Sequence, residues 1–424
     1  MKKVLLFLLL PYTIFAQSFM ISSIPIPRTY IQDLDPYKCN NTCMKELLDN
    51  GQIFSFLSRT DKKITDTDLD EARSINMAVL NLGAYNSGAK LKIALLLPYK
   101  KIGKYASTTT NATFAYLMTK SNSFMLKSYK VEDETINSLQ TALNNIRADG
   151  FNYVIAPLTL KGAKNVISLK PELNIYFPTI NKDDVNTTSA SLIFGGIDYK
   201  KQSQILLHKA VSPLIIFSDK SQIGKKLARY QEQEFLNPQE DINTTMDYED
   251  EVSVYNEDNN LSKEKKVIKY FVSRRTTNFE KYLKDNENIN NASLFVNTPI
   301  IKTGMILSQL TLYDTNASNI LSTQINYDPL LLSMTQYADR KNMIVANSIT
   351  YNNNVLIETN ALLGNDIVYD WINYTTTVGI DYFYNQITGE DREYNIPLSD
   401  NQMIYKIELL RLGVSKFYKI HSLK

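Results

Sequence analysis

The chain has 424 residues, with 46 Lys and Arg against 44 Asp and Glu. That length admits two or three domains with a full core, and so even a charge balance implies no strongly basic face, which argues against nucleic acid as the main partner. An apolar share of 44% with 21% charged residues is an ordinary globular composition, not a disordered one.

At the N-terminus, Lys2 and Lys3 precede an apolar run from Val4 to Leu10, and Ile14 and Ala16 sit at −3 and −1 of a cleavage site before Gln17. This is the pattern of a signal peptide, so residues 1–16 are expected to be removed on export and the mature protein to be soluble in the periplasm. No cysteine stands at the cleavage site, and no later stretch reaches the roughly 20 apolar residues of a membrane helix. Cys39 and Cys43 are the two cysteines of the chain. In an exported protein so close a pair is expected to form a disulfide, worth about 2 kcal/mol by chain entropy. The spacing is not the Cys-x-x-Cys of redox sites, and a metal site would have to draw on His208 and His421, the two histidines present. No metal and no cofactor is expected.

Residues 17–35 read as an extended surface run. Three short helices follow: one capped by Asn41 or Thr42 and starting near Cys43, one from Ile53, and one opening at Thr67. Residues 17–90 thus form a small helical region. The pattern changes at residue 92. Ile93 to Leu97 are five consecutive apolar residues, right for a strand buried on both faces, and Pro98 ends it. A loop over 99–107 and a helix over 110–120 are expected next. Strands at 124–131, 153–156, 174–177 and 192–195 then alternate with helices at 135–148, 160–168 and 200–210. This β-α alternation is the signature of a doubly wound parallel sheet.

The alternation restarts with a strand at 214–217 and a helix at 223–236. The acidic stretch 237–260 reads as a solvated insertion; it has no glycine, as a calcium loop would need. A helix over 262–285, open to a break near Ser273, a strand at 293–296, a helix at 301–312 and a strand at 320–322 complete the second run. Farther on, 365–384 reads as a helix carrying Trp371, the one tryptophan, as a core aromatic or, alternatively, a cleft-lining one. A terminal hairpin is expected at 405–409 and 416–420. The domain plan is therefore a lobe over 91–210, a second lobe over 211–325, and segments of 326–424 crossing between them.

Three stretches carry a resemblance: residues 93–98, Val154-Ile155-Ala156-Pro157-Leu158-Thr159, and Ile215-Ile216-Phe217-Ser218-Asp219 with Ile223-Gly224. Together they resemble the type I periplasmic-binding-protein fold, with Ala156 where that family has Gly and Ile223 where it has Tyr. The resemblance implies an α/β, two-lobed protein, each lobe a doubly wound parallel sheet. Val378-Gly379-Ile380-Asp381, followed by Gly389 and the terminal hairpin, is similar to the lipoprotein activators of penicillin-binding proteins, which stimulate peptidoglycan synthases from the periplasm. The chain departs from that branch in lacking a lipobox cysteine and in its much shorter helical region. The resemblance implies a non-enzymatic activator of cell-envelope assembly whose partner is an envelope protein such as a peptidoglycan synthase. A solute-binding receptor for a transporter or sensor, or a structural accessory of an envelope machine, are the alternatives.

No G-x-S-x-G elbow, Walker A motif or dinucleotide-binding glycine pattern occurs, and no enzymatic activity is expected. If the cleft between lobes takes a solute, strand C-termini should supply the contacts. That points to Tyr99 and Tyr105, to Thr159, to Thr179 and Asn181, and to Ser218 and Asp219; as strand-end and N-cap residues these also have a purely structural use. Thr159 precedes a helix whose first N–H groups suit an anion. Finally, Asn186, Asn243 and Asn316 each stand in D/E-x-N-x-S/T, the acceptor pattern of bacterial periplasmic N-glycosylation, and all fall in expected loops.

Overall fold

The computed structural model describes residues 31, 33–35, 37–60, 63–80, 91–120, 122–238 and 265–420. The expected signal segment, the run up to residue 30, all but the first two residues of the acidic insertion with Asn243, and His421 lie outside the described residues. The chain divides into two units, residues 1–92 with 122–130, and residues 93–121 with 131–424.

In the first unit, helices α1 (Asn41–Asp49), α2 (Ile53–Ser58) and α3 (Thr67–Val79) pack around Phe56, Leu57 and Leu69. The cap of α1 is Asn40, one residue before the expected pair, because its side chain is the one that accepts from the Cys43 N–H at 3.0 Å. The Cys39–Cys43 disulfide closes over this first turn. Asp66 caps α3 by accepting from the N–H groups of Asp68 and Leu69. Arg59 pairs with Asp33 and Asp35 and donates to the Tyr37 carbonyl, tying the extended 33–37 segment to α2. Strand β2 (Phe124–Lys130) also belongs to this unit.

The second unit contains two α/β lobes. The first sheet has the order β11-β12-β5-β4-β3-β1-β2. Its strands are β1 (Leu91–Leu97), β3 (Tyr153–Ile155), β4 (Asn174–Phe177), β5 (Leu192–Phe194), β11 (Leu398–Ser399) and β12 (Gln402–Met403), with β2 at one edge. Pairing is parallel from β1 through β5 to β12, and β11 returns antiparallel. Five residues of β1 in succession, Ile93 to Leu97, have no exposure, as the apolar run predicts for a strand covered on both faces.

Helices α4 (Tyr99–Ile102) and α5 (Tyr105–Met118) replace the loop expected at 99–107. The Thr108-Thr109-Thr110 run reads as poor helix, yet burial overrides that preference. Thr110 and Thr113 return their hydroxyls to the carbonyls of Ala106 and Thr109 at 2.9 Å, so both enter the interior satisfied. Helices α6 (Ile136–Ala148), α7 (Leu160–Leu169) and α8 (Tyr199–Leu207) follow their strands as expected.

The second sheet has the order β14-β13-β10-β9-β8-β6-β7. Its strands are β6 (Leu214–Asp219), β7 (Val267–Val272), β8 (Ser293–Asn297), β9 (Asn319–Ser322), β10 (Met343–Asn347), β13 (Glu408–Leu412) and β14 (Phe417–Lys419). Strands β6 to β10 are parallel, and β13 and β14 are antiparallel additions. Alternate residues of β6 serve opposite cores. Ile215 and Phe217 face one with Leu294 and Val296, whereas Leu214 and Ile216 face the other with Phe295 and Leu321. Among the described residues 265–285 the helix expected over 262–285 does not form. That stretch holds β7, an edge strand, and the short α10 (Glu280–Leu283). Lys269 lies on a half-buried edge and pairs with Glu232 of α9 (Gln222–Leu236).

The remaining helices are α11 (Ile300–Leu312), α12 (Pro329–Met334), α13 (Tyr337–Arg340), α14 (Asn354–Leu362) and α15 (Trp371–Thr388). Helix α15 starts six residues later than expected, at the Asp370 N-cap, and ends at Gly389, whose φ of 75° suits glycine. The chain passes from sheet to sheet between β5 and β6, between β10 and β11, and between β12 and β13.

Candidate functional site

In open parallel sheets the strand C-termini and the helix N-termini that follow them form the binding edge. In the first lobe this edge is closed by the chain's own groups. Thr159 is the N-cap of α7, its hydroxyl accepting from the Gly162 N–H at 3.3 Å. The carboxylate of Glu134, 4% exposed, sits on this helix start. It accepts from the Thr159 N–H at 2.7 Å and from the Thr159 hydroxyl, while the Asn165 amide donates to the Glu134 carbonyl at 2.6 Å. The position where an anionic solute would meet α7 is thus held by an anion of the protein. Gly162 allows this approach: a Cβ there would lie 2.5 Å from the Glu134 carboxyl.

Two of the other first-lobe candidates, Thr179 and Asn181, are likewise engaged by the chain itself. Thr179 donates to the Leu158 carbonyl at 2.8 Å, joining the turns after β3 and β4. Asn181 caps the short 3-10 turn Lys182–Asp184, accepting from the Asp183 N–H at 3.0 Å. Tyr99 is half-buried as the first residue of α4, and Tyr105, 36% exposed, opens α5 beside Lys104.

The second-lobe edge is filled by uncharged amides. Gln202 of α8 donates to the Ser348 hydroxyl at 2.7 Å and accepts from the Gln324 N–H at 2.9 Å. Gln324 donates to Asn347 at 2.9 Å, and Gln231 of α9 exchanges hydrogen bonds with Asn297 at 2.6 and 3.1 Å. All are buried at strand ends or against them. Ser218 is fully buried, and Asp219 accepts from the Ser221 N–H and hydroxyl at 3.1 and 2.5 Å, next to the Ser221 cap of α9. The structure therefore brings Thr159 and Thr179 together through Leu158, and sets Ser218 and Asp219 beside Gly224 on the other lobe.

Between lobes, Asp184 pairs with Lys226 of α9. Aromatic joints add to this. Trp371, half-buried and not a core residue, stands edge-on to Tyr199 of α8 at 6.1 Å. Tyr369 lies 5.1 Å from Tyr327 and 6.2 Å from Phe417, both packed on the second lobe's core. Burial raises the carboxyl of Asp370 above its ordinary value, against the hydrogen bonds it accepts at the start of α15; Asp198, the cap of α8, is raised in the same way. Glu134 and the amide set escaped sequence reasoning because single Glu, Gln and Asn residues carry no spacing signal. Only the fold brings them to one edge. Among the described residues no group of three or more His, Cys, Asp and Glu is placed to hold a metal, and no helix is long and apolar enough to cross a membrane.

Two mostly parallel sheets, each wrapped by helices and exchanging three chain segments, define a two-lobed binding fold, that of the type I periplasmic binding proteins. An ABC transporter substrate-binding protein from Sphaerobacter thermophilus is similar with a TM-score of 0.56 at 11% identity, over 78% of this chain and 96% of that one. The branched-chain amino acid transporter substrate-binding protein LivJ from Streptococcus pneumoniae, in complex with isoleucine, gives 0.54 at 10% identity, over 78% and 99%. Full-length LpoA from Haemophilus influenzae gives 0.49 at 10% identity, over 90% and 72%. At these identities the likeness is one of fold. No protein-family model matches the chain, and no curated protein matches it.

Proposed function

We propose that this chain is a non-enzymatic periplasmic protein that uses the type I binding fold to engage a protein partner in cell-envelope assembly, and does not carry a small solute. The observation that supports this reading is the Glu134 carboxylate seated on the start of α7, where it takes both the backbone N–H and the hydroxyl of Thr159. An anionic solute would have to displace a buried, covalently tethered carboxylate whose hydrogen bonds are already made. The amide set of the second lobe, paired within itself, supports the same conclusion for a neutral polar solute. The sequence resemblance to activators of penicillin-binding proteins makes a peptidoglycan synthase the partner to test first.

The test has two arms. Thermal unfolding of the full chain is followed with amino acids, sugars and muropeptides added; no shift is expected, since a solute binding only the folded state at a hundred times its Kd would stabilise it by about 2.7 kcal/mol. A reproducible shift with any of them restores the receptor reading. In the second arm, crosslinking in intact cells followed by affinity purification is expected to recover a peptidoglycan synthase. Recovery of transporter subunits alone overturns the proposal.

A further inference from the structure

Four asparagines share one acceptor pattern in the sequence, Asn186, Asn243, Asn316 and also Asn260 (Asp258-Asn259-Asn260-Leu261-Ser262), and the fold separates the two that are described. Asn186 lies in the segment between the 3-10 turn Lys182–Asp184 and β5, in neither helix nor strand, and is exposed. Among the described residues its side-chain amide has no hydrogen-bond partner, and no backbone N–H or carbonyl of residues 186–188 is hydrogen-bonded. Thr188, two residues on, is exposed as well. The Asp184 side chain, two residues before, is in the partly exposed pair with Lys226, and its N–H donates to the Asn181 carbonyl at 3.1 Å. Residues 186–188 can be drawn into an extended conformation without breaking a helix or strand; seating Asp184 with them opens the last two bonds of the 3-10 turn, from the N–H groups of Asp184 and Val185, and the bond from the Ser189 N–H to the Thr187 hydroxyl.

Asn316 is exposed but pinned. Its N–H donates to the Asn290 side chain at 3.2 Å, and its carbonyl accepts from the Asn291 N–H at 2.9 Å. The hydroxyl of Ser318, which an acceptor pattern must offer, donates to the Asn291 carbonyl at 2.9 Å, and the Ser318 N–H to that of Ala292 at 2.9 Å. To present Asn316 as an extended acceptor these bonds must break together.

We propose that Asn186 is a site of N-glycosylation in the folded protein, and that Asn316 is an acceptor only in the unfolded chain. The donor is an oligosaccharide linked to a polyprenyl diphosphate. The Asn186 Nδ2 forms a bond to the anomeric carbon, the bond from that carbon to the diphosphate oxygen breaks, and the polyprenyl diphosphate leaves with the electron pair. One Nδ2 proton passes to a base of the transferase, and no redox partner is required.

The experiment uses the full chain carrying Asn243→Gln and Asn260→Gln, incubated with a purified bacterial oligosaccharyltransferase and a polyprenyl-diphosphate-linked heptasaccharide, folded or after transfer into denaturant tolerated by the enzyme. Mass spectrometry of tryptic peptides reads occupancy. The folded chain is expected to gain one glycan at Asn186, at a rate at least about tenfold above that at Asn316, and the unfolded chain to gain two. Asn186→Gln should abolish the single addition to the folded chain. The proposal is overturned if the folded chain stays unmodified, if Asn316 reacts as fast as Asn186 in it, or if Asn186 is not used even in the unfolded chain.

Discussion

The Glu134 side chain stands where charge and fold meet. Its carboxylate accepts two hydrogen bonds at the start of α7 while almost wholly buried, so removing it leaves the Thr159 N–H and hydroxyl without their acceptor. Glu134→Ala is expected to destabilise the protein by about 3 kcal/mol in chemical denaturation, because charge-assisted bonds and an orphaned donor are both involved. The vacated position should then accept a free anion. Acetate or phosphate is expected to raise the Tm of Glu134→Ala well beyond its effect on the parent chain, and equal effects on both would count against Glu134 as the resident anion. Asp370 tests the opposite case, a carboxylate that its surroundings penalise. Burial raises its pKa above the ordinary 3.8, so its contribution to stability is full below that value and is lost as pH rises through the raised one. Asn caps helices as well as Asp does. Asp370→Asn should therefore keep α15 capped and flatten the decline of Tm on going from about pH 4 to pH 7. A variant whose Tm follows the parent curve in parallel would refute that account. Asp198, raised for the same reason, leaves part of the decline in place.

At the scale of elements, α15 is the piece around which the first lobe is fitted. Tyr176 of β4 passes between Gly195 and Gly379 and donates to the Thr375 carbonyl at 2.8 Å. A Cβ on Gly379 would lie 2.2 Å from the Tyr176 ring, with no flexible chain end to yield. Gly379→Ala is expected to lose about 3 kcal/mol by overpacking, read as a lower denaturation midpoint at unchanged slope. Two residues along, Asp381 is fully buried and accepts from the Tyr116 hydroxyl at 2.9 Å, Arg392 at 3.1 Å and the Glu393 N–H at 2.7 Å. Asp381→Ala strands the Arg392 charge and should cost about 3–5 kcal/mol, whereas Tyr116→Phe should cost about 1 kcal/mol; equal losses would show that the ion pair is not the dominant part. Much of this architecture was legible in the chain. The apolar run ending at Pro98 gave β1, and Asp149-Gly150 gave the end of α6, because each is a local signal with a local cause. The edge strand β7 was not legible, since half of it faces solvent and its lysine pairs with a helix 37 residues away in sequence. The strand β10 and the closing residues Glu134, Gln202, Gln324 and Asp381 were hidden for a related reason: their partners are set by topology, and nothing in their own neighbourhood marks them.

For the whole molecule the question is whether the lobes rest together or wait for a ligand to bring them together. The Asp184–Lys226 pair is partly exposed and contributes at most about 1 kcal/mol. The aromatic joints are worth more. Tyr369 meets Tyr327 and Phe417 of the second lobe, and Trp371 meets Tyr199, three contacts each adding about 0.5–1.5 kcal/mol beyond the area it buries. These joints need no solute, so the approach of the lobes should be a property of the chain alone. The described chain has no free cysteine, so an engineered pair reports cleanly. In the double variant Asp184→Cys and Lys226→Cys, a short bismaleimide is expected to bridge the lobes in high yield. The rate should be the same with or without amino acids, sugars or muropeptides, and insensitive to salt, because the apolar joints remain when the ion pair is gone. A solute that accelerates the cross-link several-fold would mean that closure is bought by ligand binding, as in a receptor. A salt-sensitive yield would instead mean that surface charge outside the substituted pair holds the lobes. If neither occurs, the surface formed by the two resting lobes is the one a partner protein meets, and partner contacts should map to residues exposed on both sides of the Asp184–Lys226 junction and not to the strand ends that Glu134 and the amides close.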